Sequence, residues 1–350
     1  MKEHAQDVLP FTTDDGRPGN VIHVIGETPP VRGPVLLVHG AGVRANIFQA
    51  PVETTLVDDL IAHGWDVWLE NWRASIDFTP CEWTLDEAAV YDHPRAVETV
   101  IAATGADTMQ AVIHCQGSTS FMMSAVAGLV PQVTTIVSNA VALHPVVPPL
   151  TRWKQRLMTP LVARLMPYLD PQWDVTQGGA PGMKERAVAL WVHLTHHECH
   201  NQVCKMVSFT YGMGHPTLWS HANLNDATHE WLRGEFGHVP LSFFRQIMAS
   251  VHEGHLVSVA GLKQLPANFV AQPPETDARF AFLSGARNHC FIPESQQRTY
   301  EYLNGIRPDY HSIRILPLYG HLDVFMGQRA ATDVFPLIRE ELMTPSGRAS

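Results

Sequence analysis

Ala111-Val112-Ile113-His114-Cys115-Gln116-Gly117-Ser118 is the stretch on which the reading turns. It opens as a short apolar run, as in a strand buried on both faces, and passes at once into a helix-like segment, residues 117–129. A strand running directly into a helix lifts the corner residue above the carboxyl edge of a sheet, over the positive N-terminal end of the helix. Cys115 occupies that corner. Gly117, two places later, lets the helix begin close to the strand. A thiol so placed is a candidate nucleophile, because the helix end and a neighbouring imidazole both favour thiolate. The plainer reading is a buried structural cysteine at a strand end, and residues elsewhere must decide between the two.

Working outward, residues 34–40 (PVLLVHG) and 64–69 are two more short apolar runs, with the helix-like residues 46–63 between them. Apolar positions over residues 84–103 recur at helical spacing and close on Gly105. Residues 109–115, 134–138, 279–284 and 312–316 supply further strands. Strand and helix alternating in this way predict an α/β architecture, a mostly parallel sheet with helices on both faces. From about residue 145 to residue 270 the rhythm breaks. Prolines gather, helix-like stretches occupy residues 184–199 and 241–251, and no strand pattern stands out. We therefore expect a core of residues 1–144 and 271–350, with residues 145–270 inserted as a helical cap.

Other segments bear on the corner cysteine. His39-Gly40-Ala41-Gly42 follows the first apolar run, where backbone N–H groups can face a nucleophile, so the amides of Ala41 and Gln116 are the expected oxyanion donors. Tyr319-Gly320-His321-Leu322-Asp323 follows the strand at 312–316, and its position marks His321 among the 20 histidines as the general base. The third member belongs after the strand at 279–284, in Gly285-Ala286-Arg287-Asn288-His289, where Asn288 stands in the place of an aspartate. An amide can accept an imidazole N–H and fix the tautomer, but it cannot stabilise imidazolium by charge; a thiol suffers less from that loss. Asp323, or an acid from the cap, is the alternative orienter. Ser118 is the rival nucleophile, though its neighbours Gln116 and Ser120 lack the glycines of a serine elbow.

Val67-Trp68-Leu69-Glu70-Asn71-Trp72-Arg73, Tyr91-Asp92-His93-Pro94 and Gly320-His321-Leu322-Asp323-Val324-Phe325-Met326-Gly327 are similar to segments of the acid lipases. Asn71-Trp72-Arg73 together with a cysteine nucleophile resembles the polyhydroxyalkanoate synthases, which transfer acyl groups through a thioester. The His114-Cys115-Gln116-Gly117 elbow, with cap elements at residues 199–204 and 225–237, resembles esterase-like bacterial proteins related to domains found with cholesterol oxidases. All three lie within the α/β-hydrolase superfamily, which the chain resembles over residues 34–141 and 279–339. The resemblance implies the α/β-hydrolase fold and a hydrolase of hydrophobic carboxylic esters or thioesters working through an acyl-thioester on Cys115. An acyltransferase is the second enzymatic reading. A non-catalytic ligand-binding protein on the same scaffold is the third, motivated by Ile113, where the family pattern has glycine, and by Asn288.

Composition narrows the classes further. Of 350 residues, 45% are hydrophobic and 17% charged, which supplies a large core and excludes a disordered chain. A net charge of -10, with 24 Lys and Arg against 34 acids, leaves no basic footprint for a nucleic acid. No apolar run reaches the length of a membrane span, so we expect no stable membrane insertion and a cytoplasmic location. A small hydrophobic acyl ester or thioester is the expected partner, and a homodimer is left open. The five scattered cysteines are no disulfide framework. His193, His196, His197, His200 and Cys204 fall at steps of three and four in the cap, a zinc-like set of residue types. Helical periodicity alone aligns any repeated residue, and no pair of CxxC units is present, so we expect no metal and no cofactor.

Overall fold

The computed structural model describes residues 2–174, 180, 182–197, 199–213 and 216–346. Its strands are β1 (Ala5–Thr12), β2 (Pro18–Ile25), β3 (Pro34–Val38), β4 (Asp66–Asn71), β5 (Met109–His114), β6 (Val133–Asn139), β7 (Tyr168–Leu169), β8 (Val239–Pro240), β9 (Arg279–Gly285) and β10 (Ser312–Leu316). Eight of them form one sheet in the order β1-β2-β4-β3-β5-β6-β9-β10. The β1–β2 and β2–β4 pairs are antiparallel and the other five are parallel. All five residues of β3 and all seven of β9 are buried, as parallel strands covered by helices on both faces require. This is the α/β sheet expected, with β1 and β2 added at one edge. They were not anticipated because β1 is largely exposed and offers no clear apolar period.

Prolines divide two expected helices. Residues 46–63 form a 3-10 turn, Ala45–Gln49, and a separate helix, Leu56–Ala62, with Pro51 between them. Thr55 and Asp58 cap that helix reciprocally, each side chain bonding the other's backbone N–H. Residues 84–103 become Leu85–Glu87, a wide five-residue turn Ala88–Asp92, and the helix His93–Thr104. Pro94 has no N–H to donate back to Val90, so the i→i−4 ladder opens there into the wider turn.

Between β6 and β9 none of the described residues adds a strand to the large sheet. It carries the helices Pro149–Leu165, Met183–Thr195, Gln202–Tyr211, Asp226–Trp231 and Leu241–Glu253, and β7 pairs with β8 in a two-residue ribbon that the sequence did not reveal. This inserted segment is bonded onto the sheet's carboxyl edge. Gly237 N donates to Gly42 O at 3.0 Å, Tyr211 Oη to Ala41 O at 2.9 Å, and Leu322 N to Leu218 O at 2.7 Å.

Beneath that edge the sheet is pinned by buried charge. Arg73 reaches Asp92 at 2.6 Å and Asp15 at 2.8 Å. Arg279 reaches Glu341 at 2.6 Å, tying β9 to the helix Phe335–Met343. Among the described residues no helix is long and apolar enough to cross a membrane.

Candidate active site

β5 ends at His114 in extended conformation, and the next residue, Cys115, begins the helix Cys115–Val126 at φ +55°. That left-handed conformation is uncommon for a residue with a side chain, and it turns the thiol out of the strand direction. The close approach of strand and helix has a visible cause. A methyl group on Gly117 would overlap the His39 carbonyl oxygen and approach Val38 Cγ1 within 2.9 Å, and one on Gly40 would stand 2.8 Å from Cys115 Cβ. Only glycine at both positions lets β3 and the helix pass this closely. Ile113, wholly buried, lies in register between Val38 and the small Ser138.

The backbone N–H groups of Gln116 and Ala41 both approach the Cys115 sulfur closely enough to favour its charged form. Burial nonetheless dominates and pushes the thiol up to about 12, with those two amides pulling the other way. The resting group is therefore the thiol, contrary to the thiolate that helix end and imidazole alone suggested.

His321 lies in the loop after β10, 1% exposed, and burial lowers its pKa to about 3. Its Nε2 is buried and has no hydrogen-bond partner. Ring nitrogens of His114 and His321 and the Cys115 sulfur all lie within 4.8 Å of one another. His114 packs edge-on against His321 with ring centroids 4.7 Å apart. Its own pKa is held well below the ordinary range by burial, then by the charges of His321 and His39. Three imidazoles thus stand neutral around a neutral thiol, since burial also takes His39 to about 3.

Asn288 meets His321 as expected, but with its amide turned the other way. Asn288 Oδ1 accepts from Cys290 N at 3.0 Å and from Phe291 N at 3.1 Å, so Nδ2 is the atom that faces His321 Nδ1, at 3.0 Å. An NH2 group can only donate, so Nδ1 accepts and the ring proton resides on Nε2. The amide fixes a tautomer, though not the one a resting general base at Nε2 needs. Asp323 is not the orienter: Gly320 N, Ser220 N and Asn223 Nδ2 occupy its oxygens, and burial raises it to about 6.

Ser118 is wholly buried, its Oγ meeting Ser138 Oγ at 2.8 Å, and Gln296 Nε2 reaches Ser138 Oγ at 3.0 Å. The sequence reading missed Asn139. It lies in register with His114 at the end of β6 and donates to His114 Nδ1 at 2.9 Å and to the His321 carbonyl at 3.2 Å. Only its place at a strand's carboxyl end could have pointed to it. Nor did the motif Tyr91-Asp92-His93-Pro94 disclose that His93 bridges Glu70 at 2.9 Å and Ser120 at 2.7 Å, a Ser-His-Glu set wholly shut in the core.

The sheet order, the strained corner cysteine and the histidine loop after the last strand define the α/β-hydrolase fold. No family model matches the chain. It is 27% identical to sterol esterase 2 of Saccharomyces cerevisiae over 41% of this chain and 32% of that protein, so the chain spans about a third of that relative's length. Among solved structures it is similar to a soluble variant of monoglyceride lipase from Saccharomyces cerevisiae in complex with a substrate analogue (15% identity, 98% of this chain and 96% of that one, TM-score 0.58). It is likewise similar to a thermophilic esterase from Thermogutta terrifontis (14% identity, 96% and 98%, TM-score 0.52). At these identities the structural likeness speaks for the fold.

Proposed function

We propose that the chain hydrolyses hydrophobic carboxylic esters or thioesters, with Cys115 as nucleophile, His321 as proton carrier and the backbone amides of Ala41 and Gln116 as oxyanion donors. The observation that carries the reading is the Cys115 corner itself: a thiol held at positive φ, two convergent N–H groups on its sulfur, and a neutral imidazole beside it. The curated relative, a sterol esterase, is consistent with an apolar ester. So is the apolar surface of the inserted segment, where Leu150, Trp153, Leu157, Leu190, Trp191 and Leu194 are all exposed.

The energetics set the order of events. Burial disfavours the Cys115 thiolate and the His321 imidazolium alike, so forming that ion pair before attack is uphill. The proton therefore leaves sulfur as the carbon–sulfur bond forms. In that step the carbonyl π pair moves onto oxygen, where the two amides receive it, and the thiol proton passes to His321 Nε2. For Nε2 to accept, the ring proton must sit on Nδ1, which requires the Asn288 amide to turn over and present Oδ1. Asn288 is thus a positioning residue. The tetrahedral adduct collapses, the carbon–oxygen or carbon–sulfur bond to the leaving group breaks, and the leaving group takes the Nε2 proton. Water repeats the sequence on the acyl-thioester, releasing the acid and restoring the thiol. The insertion acts as the cap and must move for substrate to arrive, because Cys115 is only 6% exposed. Five cysteines with no disulfide among them suit a reducing, cytoplasmic setting.

The amide's direction favours a second reading, a ligand-binding protein on a hydrolase scaffold. The two separate on p-nitrophenyl esters of increasing chain length. Hydrolysis predicts catalytic release of p-nitrophenol that Cys115→Ala abolishes; saturable binding of the ester without release by the wild-type chain would favour the binder.

A further inference from the structure

The inserted segment holds a second constellation that the proposed chemistry does not use. Cys199, Cys204, His221 and His229 each present one donor atom, and all four donors lie within 4.8 Å of one another. They come from three separate pieces of backbone. Cys199 precedes the helix Gln202–Tyr211, Cys204 lies in that helix's first turn, His221 opens the turn His221–Asn223, and His229 sits on the helix Asp226–Trp231. This is not the stripe at steps of three and four: the helix Met183–Thr195 ends before His196, His197 and His200, and of the earlier set only Cys204 belongs. Periodicity therefore cannot explain the cluster, since three turns of chain had to be folded together to make it.

We propose that these four residues form a tetrahedral Cys2His2 site for a zinc ion. The dimensions agree. Zinc–sulfur bonds of about 2.3 Å and zinc–nitrogen bonds of about 2.0–2.1 Å set the edges of a tetrahedron at about 3.3–3.8 Å. Cys204 Sγ and His221 Nε2 are 3.3 Å apart, and the His221 and His229 rings stand edge to face at 4.9 Å, so the donors need move only by tenths of an ångström to about one ångström. Neither sulfur is in a disulfide. His229 Nε2 is buried, with no hydrogen-bond partner at ordinary geometry.

Supporting bonds hold the donors in place. Asn201 caps the helix bearing Cys204 and donates to His229 O at 2.8 Å; Asn225 caps the helix bearing His229 and donates to Pro51 O at 3.1 Å. The turn bearing His221 is bound directly to the His321 loop: Asn223 Nδ2 donates to Asp323 at 2.6 Å and to Leu318 O at 2.8 Å, and His321 N donates to Leu218 O at 3.2 Å. A metal here clamps the insertion onto the loop that carries the proposed base. Its role is structural, since four protein donors leave no open position for substrate or water.

The test is metal content of the full chain purified under reducing conditions, followed by exchange of zinc for cobalt(II). One equivalent of zinc per chain is expected. The cobalt form should show the intense visible bands of a tetrahedral site and thiolate-to-cobalt charge transfer from two sulfurs, and chelation should lower the melting temperature. Cys204→Ser and His229→Ala should lose the metal, whereas Cys115→Ala should keep it. If a variant fails to fold, Cys199→His supplies the control: it should bind one equivalent with a one-sulfur spectrum. The proposal is overturned by a folded wild-type chain that takes up no zinc. It is equally overturned by a metal that Cys115→Ala releases, which would locate it at His114, Cys115 and His321, or by a Cys199–Cys204 disulfide in the reduced preparation.

Discussion

Replacing Asn288 by aspartate changes one NH2 group into an oxygen, at the point where the geometry and the proposed chemistry pull apart. In the native chain Oδ1 is held by Cys290 N and Phe291 N, which leaves Nδ2 to donate to His321 Nδ1 at 3.0 Å. In Asn288→Asp the same two backbone donors hold one carboxylate oxygen, and the other faces Nδ1 as an acceptor. The ring proton then moves to Nδ1 and Nε2 is freed to receive the thiol proton. A hydrogen bond to a charged group contributes about 1.5–3 kcal/mol. Expressed in the transition state, that is roughly a 10- to 150-fold gain in kcat/KM. The assay is p-nitrophenyl ester hydrolysis as a function of pH. An anion beside the imidazole raises its pKa from about 3, so the variant should lose activity at a higher pH on the acid side than the native chain does. A folded variant with lower kcat/KM and an unmoved acid limb would refute the reasoning, since the amide's donation would then be what the reaction needs.

Three further outcomes follow from the same coordinates. Ser118→Ala should retain most activity and lose about 1 kcal/mol of stability in denaturant unfolding, because the serine bonds only within the buried Ser138 network; abolished turnover would move the nucleophile. Arg73→Met leaves the Asp92 carboxylate, which burial already raises, without its main partner, and should cost about 3–5 kcal/mol in the same measurement. Acid should destabilise the fold early. His39, His144, His311 and His321 have folded pKa values of about 3 to 4 owing to burial, so below 6.5 the unfolded chain binds protons the folded chain refuses, and stability falls with pH. From about pH 7.5 to about pH 5.5 the wholly buried His39 and His321 each contribute a loss of about 1.4 kcal/mol, and the part-buried His144 and His311 less; a flat unfolding free energy over that window would contradict the neutral state of the buried pair.

What the sequence disclosed and what it hid have physical causes. The parallel strands were legible because burial on both faces leaves them mainly apolar, most plainly in Val35 to Val38. The corner at Cys115 was legible because strand and helix meet with no room for a loop. The edge strand β1 buries only Phe11, and β2 beside it buries three residues, so neither shows a continuous apolar run. Pro51 and Pro94 broke helices whose apolar spacing alone read as continuous. At the site, position along the chain picked out His321 and Asn288, but the direction of the Asn288 amide depends on where two backbone N–H groups point after β9. The cluster of Cys199, Cys204, His221 and His229 is formed entirely by tertiary folding, and a reading based on helical steps gathered the wrong histidines.

The most direct test is to mix the protein with a p-nitrophenyl acyl ester, quench with acid, digest, and locate the added acyl mass by peptide mass spectrometry. The account predicts one acyl group on Cys115, cleared over time by water in the native chain. An acyl group on Ser118 in its place, or turnover without any adduct at Cys115, would contradict it.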